Sequence, residues 1–267
     1  MIRRPAVAGS FYPEEKADLL DQLKQIVPSV EMRKRCLGVI SPHAGYIYSG
    51  AIAGQLLAET TLPRQIVLLG PNHHGLGADA AIFCDGFWST PLGEVPIATG
   101  LASQLMQSCS MLQSDPLAHR LEHSIEVQLP LLKYLQPNLQ IVPICLGHGT
   151  LDDWLQLGAD IGEALNAWSQ EVLVVASSDM NHFLDATETR RRDYLAIDAV
   201  LALDPSRLYQ TVRENDISMC GVVPAVVMLQ SALTRGATEC RLNCYGNSGD
   251  VNGDMSRVVG YAALSVF

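Results

Sequence analysis

Positive charge is scarce in this sequence. Its 267 residues include 18 Lys and Arg against 28 Asp and Glu, which gives a net charge of -10 at neutral pH. No basic run is longer than Arg190–Arg192. Because proteins that bind a phosphate backbone present a basic patch or stripe, we do not expect nucleic acid as a partner.

Long hydrophobic runs are also missing. The apolar stretch Val222–Leu229 contains Pro224 and is far shorter than the roughly 20 residues of a membrane-spanning helix. The apolar segment near the N-terminus is interrupted by Pro5 and Gly9, unlike the core of a secretory signal peptide. We therefore expect no membrane association and a cytoplasmic location.

The sequence has no Cys-x-x-Cys pair. Its seven cysteines are an odd number, and several lie within apolar runs: Cys36, Cys84, Cys109, Cys145, Cys220, Cys240 and Cys244. Metal ribbons and disulfide frameworks use paired, regularly spaced cysteines. We expect reduced cysteines packed in the core of a cytoplasmic protein.

Three common catalytic motifs are absent as well. The chain has no Gly-x-Ser-x-Gly elbow, no Walker phosphate loop and no Gly-x-Gly-x-x-Gly fingerprint. Hydrolase, NTPase and dinucleotide-binding functions lose their main support. Cys220, which precedes Gly221, could be a nucleophile, although a packed thiol at a helix start is the favoured interpretation.

What the sequence does contain is 48% hydrophobic residues, enough for a large core in a single domain over residues 1–267. Short Val/Ile/Leu runs predict strands over Cys36–Ser41, Gln65–Gly70, Ala80–Cys84, Gln140–Leu146, Glu171–Ser177, Arg241–Tyr245 and Val258–Val266. Apolar residues at helical spacing predict helices over Glu14–Val27, Ser49–Glu59, Thr99–Ser108, Ser124–Leu135, Leu151–Trp168, Thr187–Leu203 and Val222–Thr234. The alternation predicts a three-layer α/β/α fold. Its central sheet should be mixed but largely parallel, since Ala80–Cys84 follows the preceding strand without a helix.

Three predicted strands lead directly into loops that carry a histidine. His43 follows the first, His73 and His74 follow the second, and Asp179 and His182 follow the Glu171–Ser177 strand. A single histidine at a strand end is more often a hydrogen-bonded structural residue than a ligand. Three at equivalent places favour a common site, because ligands of open α/β sheets bind beyond the carboxyl ends of the strands. His74 is the weaker half of its pair, since neighbours in an extended loop point opposite ways.

Two further segments could contribute carboxylates. Glu122 and Glu126, four residues apart, would share a helix face and could support a histidine or bind substrate, or they could be solvated acids favoured by the helix dipole. The polar loop Tyr245–Asp254 only faintly matches a calcium-binding loop. It could instead supply Asp250 or Asp254 to the histidines. Two histidines and one carboxylate suit non-haem iron(II), zinc or copper.

Six segments together resemble the Memo (mediator of ErbB2-driven cell motility) family, in the family's order and over nearly the whole chain. They are Ala8–Pro13, Pro42–Tyr46, Gly70–His74, Glu122–Glu126, Ser177–Asp179 with His182, and Tyr245–Tyr261. The resemblance implies a fold similar to the class III (LigB-type) extradiol dioxygenases, which cleave catechol rings with non-haem iron. Bacterial and archaeal members occur with an AMMECR1-type protein and a radical-SAM protein, which are the expected partners by association.

The resemblance also implies roles for individual residues. His43 and His73 match the family's metal ligands, and His182, with Asp179 in the same motif, matches the histidine that serves the dioxygenases as acid/base catalyst. The animal member, described as binding copper and phosphotyrosine peptides without ring cleavage, has a cysteine as its third site residue. Here the aligned position is Val251, and the neighbouring Asp250 could restore a carboxylate.

The sequence therefore supports a Memo-family protein with a metal site of iron or copper, or alternatively zinc. His43, His73 and Asp250 would hold the metal, and His182 and Asp179 would be catalytic. The expected activity is redox or dioxygenase-like, on an unidentified small molecule or partner protein. The alternative is a non-catalytic module that binds a peptide or a phosphate-like anion in the same crevice.

Overall fold

The computed structural model describes residues 1–267 and builds a large mixed sheet flanked by helices. The strands are β1 (Ile2–Arg3), β2 (Gly38–Ser41), β3 (Gln65–Pro71), β4 (Ala80–Ile82), β5 (Phe87–Thr90), β6 (Gly93–Pro96), β7 (Gln113–Ser114), β8 (Gln140–Leu146), β9 (Val172–Ser177), β10 (His182–Leu184), β11 (Cys240–Asn247) and β12 (Val258–Val266). The helices are α1 (Lys16–Ile26), α2 (Tyr46–Glu59), α3 (Thr99–Ser108), α4 (Gln128–Leu135), α5 (Leu151–Asn166), α6 (Ala186–Leu201), α7 (Pro205–Glu214), α8 (Val222–Thr234) and α9 (Gly249–Asn252). The predicted α/β class is confirmed.

The main sheet is parallel at its centre and antiparallel towards both ends. Its strand order is β10-β12-β2-β9-β3-β8-β4-β7, with β11 paired to β12. Strands β2, β9, β3 and β8 run parallel, so their carboxyl ends share one edge. Strand β12 is antiparallel to β2, and β4 is antiparallel to β8, as predicted from the missing helix before Ala80. The loops after β2, β3 and β9 therefore meet at one edge.

Two groups of helices cover the sheet. Helices α1 and α4 both contact α2, while α5 and α7 contact α8, and both α2 and α8 pack on β2. The central strands are buried on both faces, which explains their continuous Val/Ile/Leu content.

Glycines bring α8 close to its neighbours. A Cβ at Gly158 or Gly162 of α5 would lie 2.8 Å from a backbone oxygen of α8. A Cβ at Gly221, just before α8, would lie 2.3 Å from the Ser177 carbonyl oxygen at the end of β9. Close packing thus fixes the start of α8 against the same edge of the sheet.

Some elements differ from the sequence prediction. Strands β1, β5 and β6 form a separate small sheet. Asp204-Pro205, predicted to end a helix, also starts α7, because the Asp204 side chain accepts the Arg207 N–H and proline suits the first helical position. Helix α4 begins at Gln128 rather than at Ser124, so Glu122 lies in the turns before it.

All seven cysteines are free thiols.

None of the helices combines the length and the apolarity needed to cross a membrane.

Candidate metal centre

Three histidines from separate parts of the chain form one group at the carboxyl edge of the sheet. His43 follows β2, His73 follows β3, and His123 lies in the turns before α4. One ring nitrogen of each lies within 4.8 Å of the others. Ring centroids are 5.4 Å apart for His43 and His73, 5.5 Å for His43 and His123, and 4.6 Å for His73 and His123. The expected pairing of His43 with His73 is present, and the third histidine is one that sequence analysis did not select.

His43 is held in a defined orientation at the base of the group. Its Nδ1 lies 2.9 Å from the Ser177 Oγ. The single hydroxyl proton of Ser177 is donated to the Ser124 carbonyl at 2.7 Å, so we infer that Nδ1 of His43 is the donor. The other nitrogen, Nε2, is then free of a proton and available as a ligand.

His73 is oriented by a buried carboxylate. Glu122 accepts from the His73 ring Nδ1 at 2.8 Å and from its backbone N–H at 2.7 Å. The same carboxylate accepts the backbone N–H groups of His123 and Ser124, both at 2.9 Å. A carboxylate behind a histidine ring is the common arrangement around metal-bound histidines, because it fixes the tautomer that leaves Nε2 free. The expectation that Glu122 supports a histidine is thus met, through four hydrogen bonds.

The electrostatics of the group favour neutral imidazoles at His43 and His123 and an ionised Glu122. Burial lowers the pKa of His43 to about 3 and that of His123 to about 4, and neighbouring histidines add to both shifts. Burial opposes ionisation of Glu122, yet its hydrogen bonds from His73 and from the backbone hold the pKa of this carboxyl well below its usual range. A histidine must be neutral to bind a metal, and His43 and His123 meet this condition at neutral pH.

A cysteine borders the histidine group. The Cys220 Sγ lies 3.4 Å from the His43 Nε2 and accepts the Asp179 N–H at 3.3 Å. Burial raises the pKa of this thiol. Cys220 is half-buried at the start of α8, close to the favoured interpretation of a packed thiol, but the sequence did not indicate its contact with His43. The Gly221 contact with β9, which a sequence pattern does not reveal, puts it there.

The loop between β11 and β12 does not reach the histidines. The Asp250 carboxylate accepts the Asn247 N–H at 2.8 Å within its own loop, and Asp254 accepts the Ser256 N–H at 2.9 Å. Neither belongs to the histidine group. Val251, aligned by resemblance with the family's cysteine, is exposed on α9. The cysteine that borders the histidines is Cys220. Asp250 was expected as a ligand because it lies next to Val251, and a local turn takes its carboxylate instead.

Asp179 and His182 follow β9 and lie beside the group. The Asp179 Oδ1 accepts the backbone N–H groups of His43 at 2.8 Å and Ala44 at 3.3 Å. Burial raises the pKa of this carboxyl. The His182 Nδ1 lies 2.8 Å from the Ser218 carbonyl oxygen, and the charge of His182 contributes to the lowered pKa of His43. The structure thus gives Asp179 contacts with the His43 backbone and holds the His182 ring against Ser218.

The two glutamates before α4 serve different networks instead of sharing a helix face. Glu126 is buried, pairs with Arg3, and accepts the Tyr12 hydroxyl at 2.7 Å. Arg3 also donates to the Glu122 carbonyl at 2.6 Å. Neither glutamate is a solvated first-turn acid. Glu126 ties the N-terminal segment to the turns that carry Glu122 and His123.

His74, the weaker candidate of its pair, is exposed and makes no hydrogen bond. It is not part of the histidine group.

Comparison with known proteins gives consistent matches over the whole chain. Residues 3–265 match the family model described as Memo-like protein. A MEMO1 family protein of Methanosarcina barkeri is 40% identical over 267 residues, which cover 99% of this chain and 100% of the relative. Another from Caldivirga maquilingensis is 38% identical over 280 residues, covering 100% and 99%. A MEMO1 family protein of Aquifex aeolicus is 39% identical over 267 residues, with 98% of each chain covered.

A solved structure supports the fold. The crystal structure of an uncharacterized Escherichia coli K12 protein superposes with a TM-score of 0.55 at 12% identity, covering 85% of this chain and 98% of that one. At this identity the similarity shows the architecture alone.

Proposed function

This chain belongs to the Memo-like protein family, and we propose that His43, His73 and His123 hold one divalent transition-metal ion, with the Cys220 thiol at its edge. The observation that carries the proposal is the convergence of three ring nitrogens within 4.8 Å at the carboxyl edge of the sheet. Ligand sites of open α/β sheets occupy this position.

The residues present fit such an ion. Hydrogen bonds occupy Nδ1 of His43 and His73, so both rings offer Nε2. Imidazole donors suit iron(II), copper and zinc, whereas magnesium and calcium prefer oxygen donors. The adjoining thiol adds a soft donor that favours copper or zinc. Because the redox role proposed below needs a redox-active ion and zinc has no redox chemistry, we propose iron or copper, with zinc as the alternative.

We further propose that the site supports redox or dioxygenase-like chemistry on a small molecule. When bound, the ion would supply Lewis acidity and, as iron or copper, electron transfer. The protein's own part would be to keep Glu122 on His73, to keep Asp179 on the His43 backbone, and to move a proton at Nε2 of His182.

The alternative is a binding module without catalysis. Recognition of a phosphate-like anion commonly uses arginine or lysine at the site. The three histidine rings have Ser177, Glu122 and Cys220 as their polar partners, and none has a basic one. These contacts favour metal binding over anion binding.

The metal site can be tested by titrating chelator-treated protein with Co²⁺ or Zn²⁺. We expect one equivalent to bind to the wild type. His73→Ala should abolish tight binding with little effect on folding, because a loop ligand adds little to the core. His74→Ala is the matched control and should bind normally. Normal binding by both variants would contradict the proposal.

The redox proposal needs a separate experiment. Protein loaded anaerobically with iron(II) is mixed with catechol and dioxygen, and ring cleavage is followed by absorbance. We expect turnover in the wild type and its loss in His182→Gln with metal content unchanged. Full metal occupancy without turnover of this class of substrate would favour the binding module.

A further inference from the structure

We propose that Asn181 and Ser218 hold the His182 ring in the tautomer protonated at Nδ1, which keeps Nε2 free as a proton acceptor. The inference deepens the proposed function, since it rests on the role of His182 in proton transfer. In this account Asn181 and Ser218 are positioning residues that act through His182.

Ser218 contacts His182 through both its carbonyl oxygen and its hydroxyl. Its carbonyl oxygen lies 2.8 Å from the His182 Nδ1, and its hydroxyl accepts the His182 backbone N–H at 2.7 Å. A carbonyl oxygen can only accept, so the Nδ1 must carry the proton. The hydrogen bond at Nδ1 is the one that the His182 ring makes within the chain, and its Nε2 has no partner there. Since the bond made by one ring nitrogen decides the state of the other, Nε2 is left as the basic nitrogen.

Asn181 in turn fixes Ser218. The Asn181 Oδ1 accepts both the backbone N–H of Ser218 at 3.1 Å and its hydroxyl at 3.3 Å. The Ser218 backbone N–H has no other hydrogen-bond acceptor than this side-chain oxygen. Asn181 therefore holds Ser218 in place, and Ser218 makes the hydrogen bonds to His182.

Hydrogen bonds also hold the Asn181 backbone, at its N–H and at its carbonyl. Asn181 is 1% exposed. Its N–H donates to the Asp193 carboxylate at 2.8 Å, and its carbonyl accepts the Gly260 N–H at 2.9 Å. Asp193 is buried in α6 and also accepts the Tyr245 hydroxyl at 2.8 Å. Helix α6 and strand β12 together thus set the position of the Asn181 backbone.

Strained backbone flanks the contact. Only three non-glycine residues have a positive φ, and two of them are Phe183 at 67° and Asp216 at 47°. Phe183 directly follows His182, and Asp216 lies two residues before Ser218. A left-handed conformation is unfavourable for residues with a Cβ and persists where surrounding contacts enforce it, commonly at functional sites. The strain on both sides shows that the chain is held to this geometry rather than relaxed into it.

The test is the tautomer of His182 in the full-length, metal-free protein. Two-bond ¹H–¹⁵N correlation spectra of ¹⁵N-histidine-labelled protein at alkaline pH distinguish the two neutral forms, and His182→Gln assigns the signal. We expect the Nδ1–H form in the wild type. In Asn181→Ala the ratio of the two tautomers should shift towards Nε2–H by about tenfold, the typical effect of weakening one hydrogen bond.

Controls separate positioning from a structural role. Asn252→Ala removes an exposed asparagine that only caps its own turn, and the His182 tautomer should not change. Ser218→Ala removes the hydroxyl but keeps the carbonyl, and it should cause a smaller shift, which provides a second test if Asn181→Ala does not fold. A merely structural asparagine would lower thermal stability and leave the tautomer ratio unchanged.

A wild-type Nε2–H tautomer, or an unchanged ratio in a folded Asn181→Ala or Ser218→Ala protein, would overturn the inference. Because the spectra need no metal, failure of the metal site in the Co²⁺ titration is a separate outcome and leaves this result interpretable.

Discussion

Removing the Glu122 carboxylate should weaken metal binding more than any other change outside the histidines. In Glu122→Ala, the His73 ring loses the acceptor at 2.8 Å that fixes its tautomer. Loss of such an outer partner typically lowers metal affinity by about 10- to 100-fold, which corresponds to about 1.4–2.7 kcal/mol. Three backbone N–H groups, of His73, His123 and Ser124, also lose their acceptor. At about 1 kcal/mol each, the variant should be about 3 kcal/mol less stable.

The assay is Co²⁺ titration by isothermal calorimetry, with chemical denaturation of the same samples. Glu126→Ala is the matched control, because Glu126 is equally buried but contacts no histidine. It leaves Arg3 unpaired and should cost about 3–5 kcal/mol of stability, with less than about tenfold loss of metal affinity. Wild-type affinity in Glu122→Ala, or an equal loss of affinity in both variants, would refute the reasoning.

Three other residues give independent predictions. Tyr12→Phe removes the hydroxyl that donates to Glu126 at 2.7 Å and should lower the free energy of unfolding by about 1.5–3 kcal/mol in a denaturant titration. Burial raises the pKa of Asp193 to about 7, so the folded protein keeps a proton that the unfolded chain loses near pH 4. The free energy of unfolding that depends on this proton is therefore lost as pH rises from about 4 to 7. Unfolding curves at pH 5 and pH 8 should show a smaller difference in stability for Asp193→Asn than for the wild type. Because burial raises the pKa of the Cys220 thiol, alkylation of metal-free protein by iodoacetamide at pH 7.5, followed by mass spectrometry, should modify Cys220 more slowly than glutathione.

Hydrophobic periodicity predicted the central architecture well, because the strand pattern and the helix pattern are both strong there. The β3 strand is buried at every position and mostly apolar, and α8 has the same bounds in sequence and structure. The small sheet of β1, β5 and β6 could not be seen, since a two-residue strand such as Ile2–Arg3 has no period to detect.

The histidine site was only partly predictable, because the positions of several residues depend on contacts that form only in the folded chain. Histidines directly after strands, such as His43 and His73, could be assigned to one edge from the sheet alone. His123 lies in turns whose shape depends on Glu122 accepting successive backbone N–H groups. The position of Cys220 depends on how closely the start of α8 approaches β9. Asp250 was expected from its neighbour's alignment, but hydrogen bonding within its own loop decides where the carboxylate lies.

The identity of the third protein ligand tests the account most directly. Metal-free wild type, His123→Ala and Asp250→Ala are each titrated with Zn²⁺, and bound metal per mole of protein is measured after gel filtration. We expect one equivalent in the wild type and in Asp250→Ala, and loss of stoichiometric binding in His123→Ala. Full binding by His123→Ala together with loss in Asp250→Ala would contradict it.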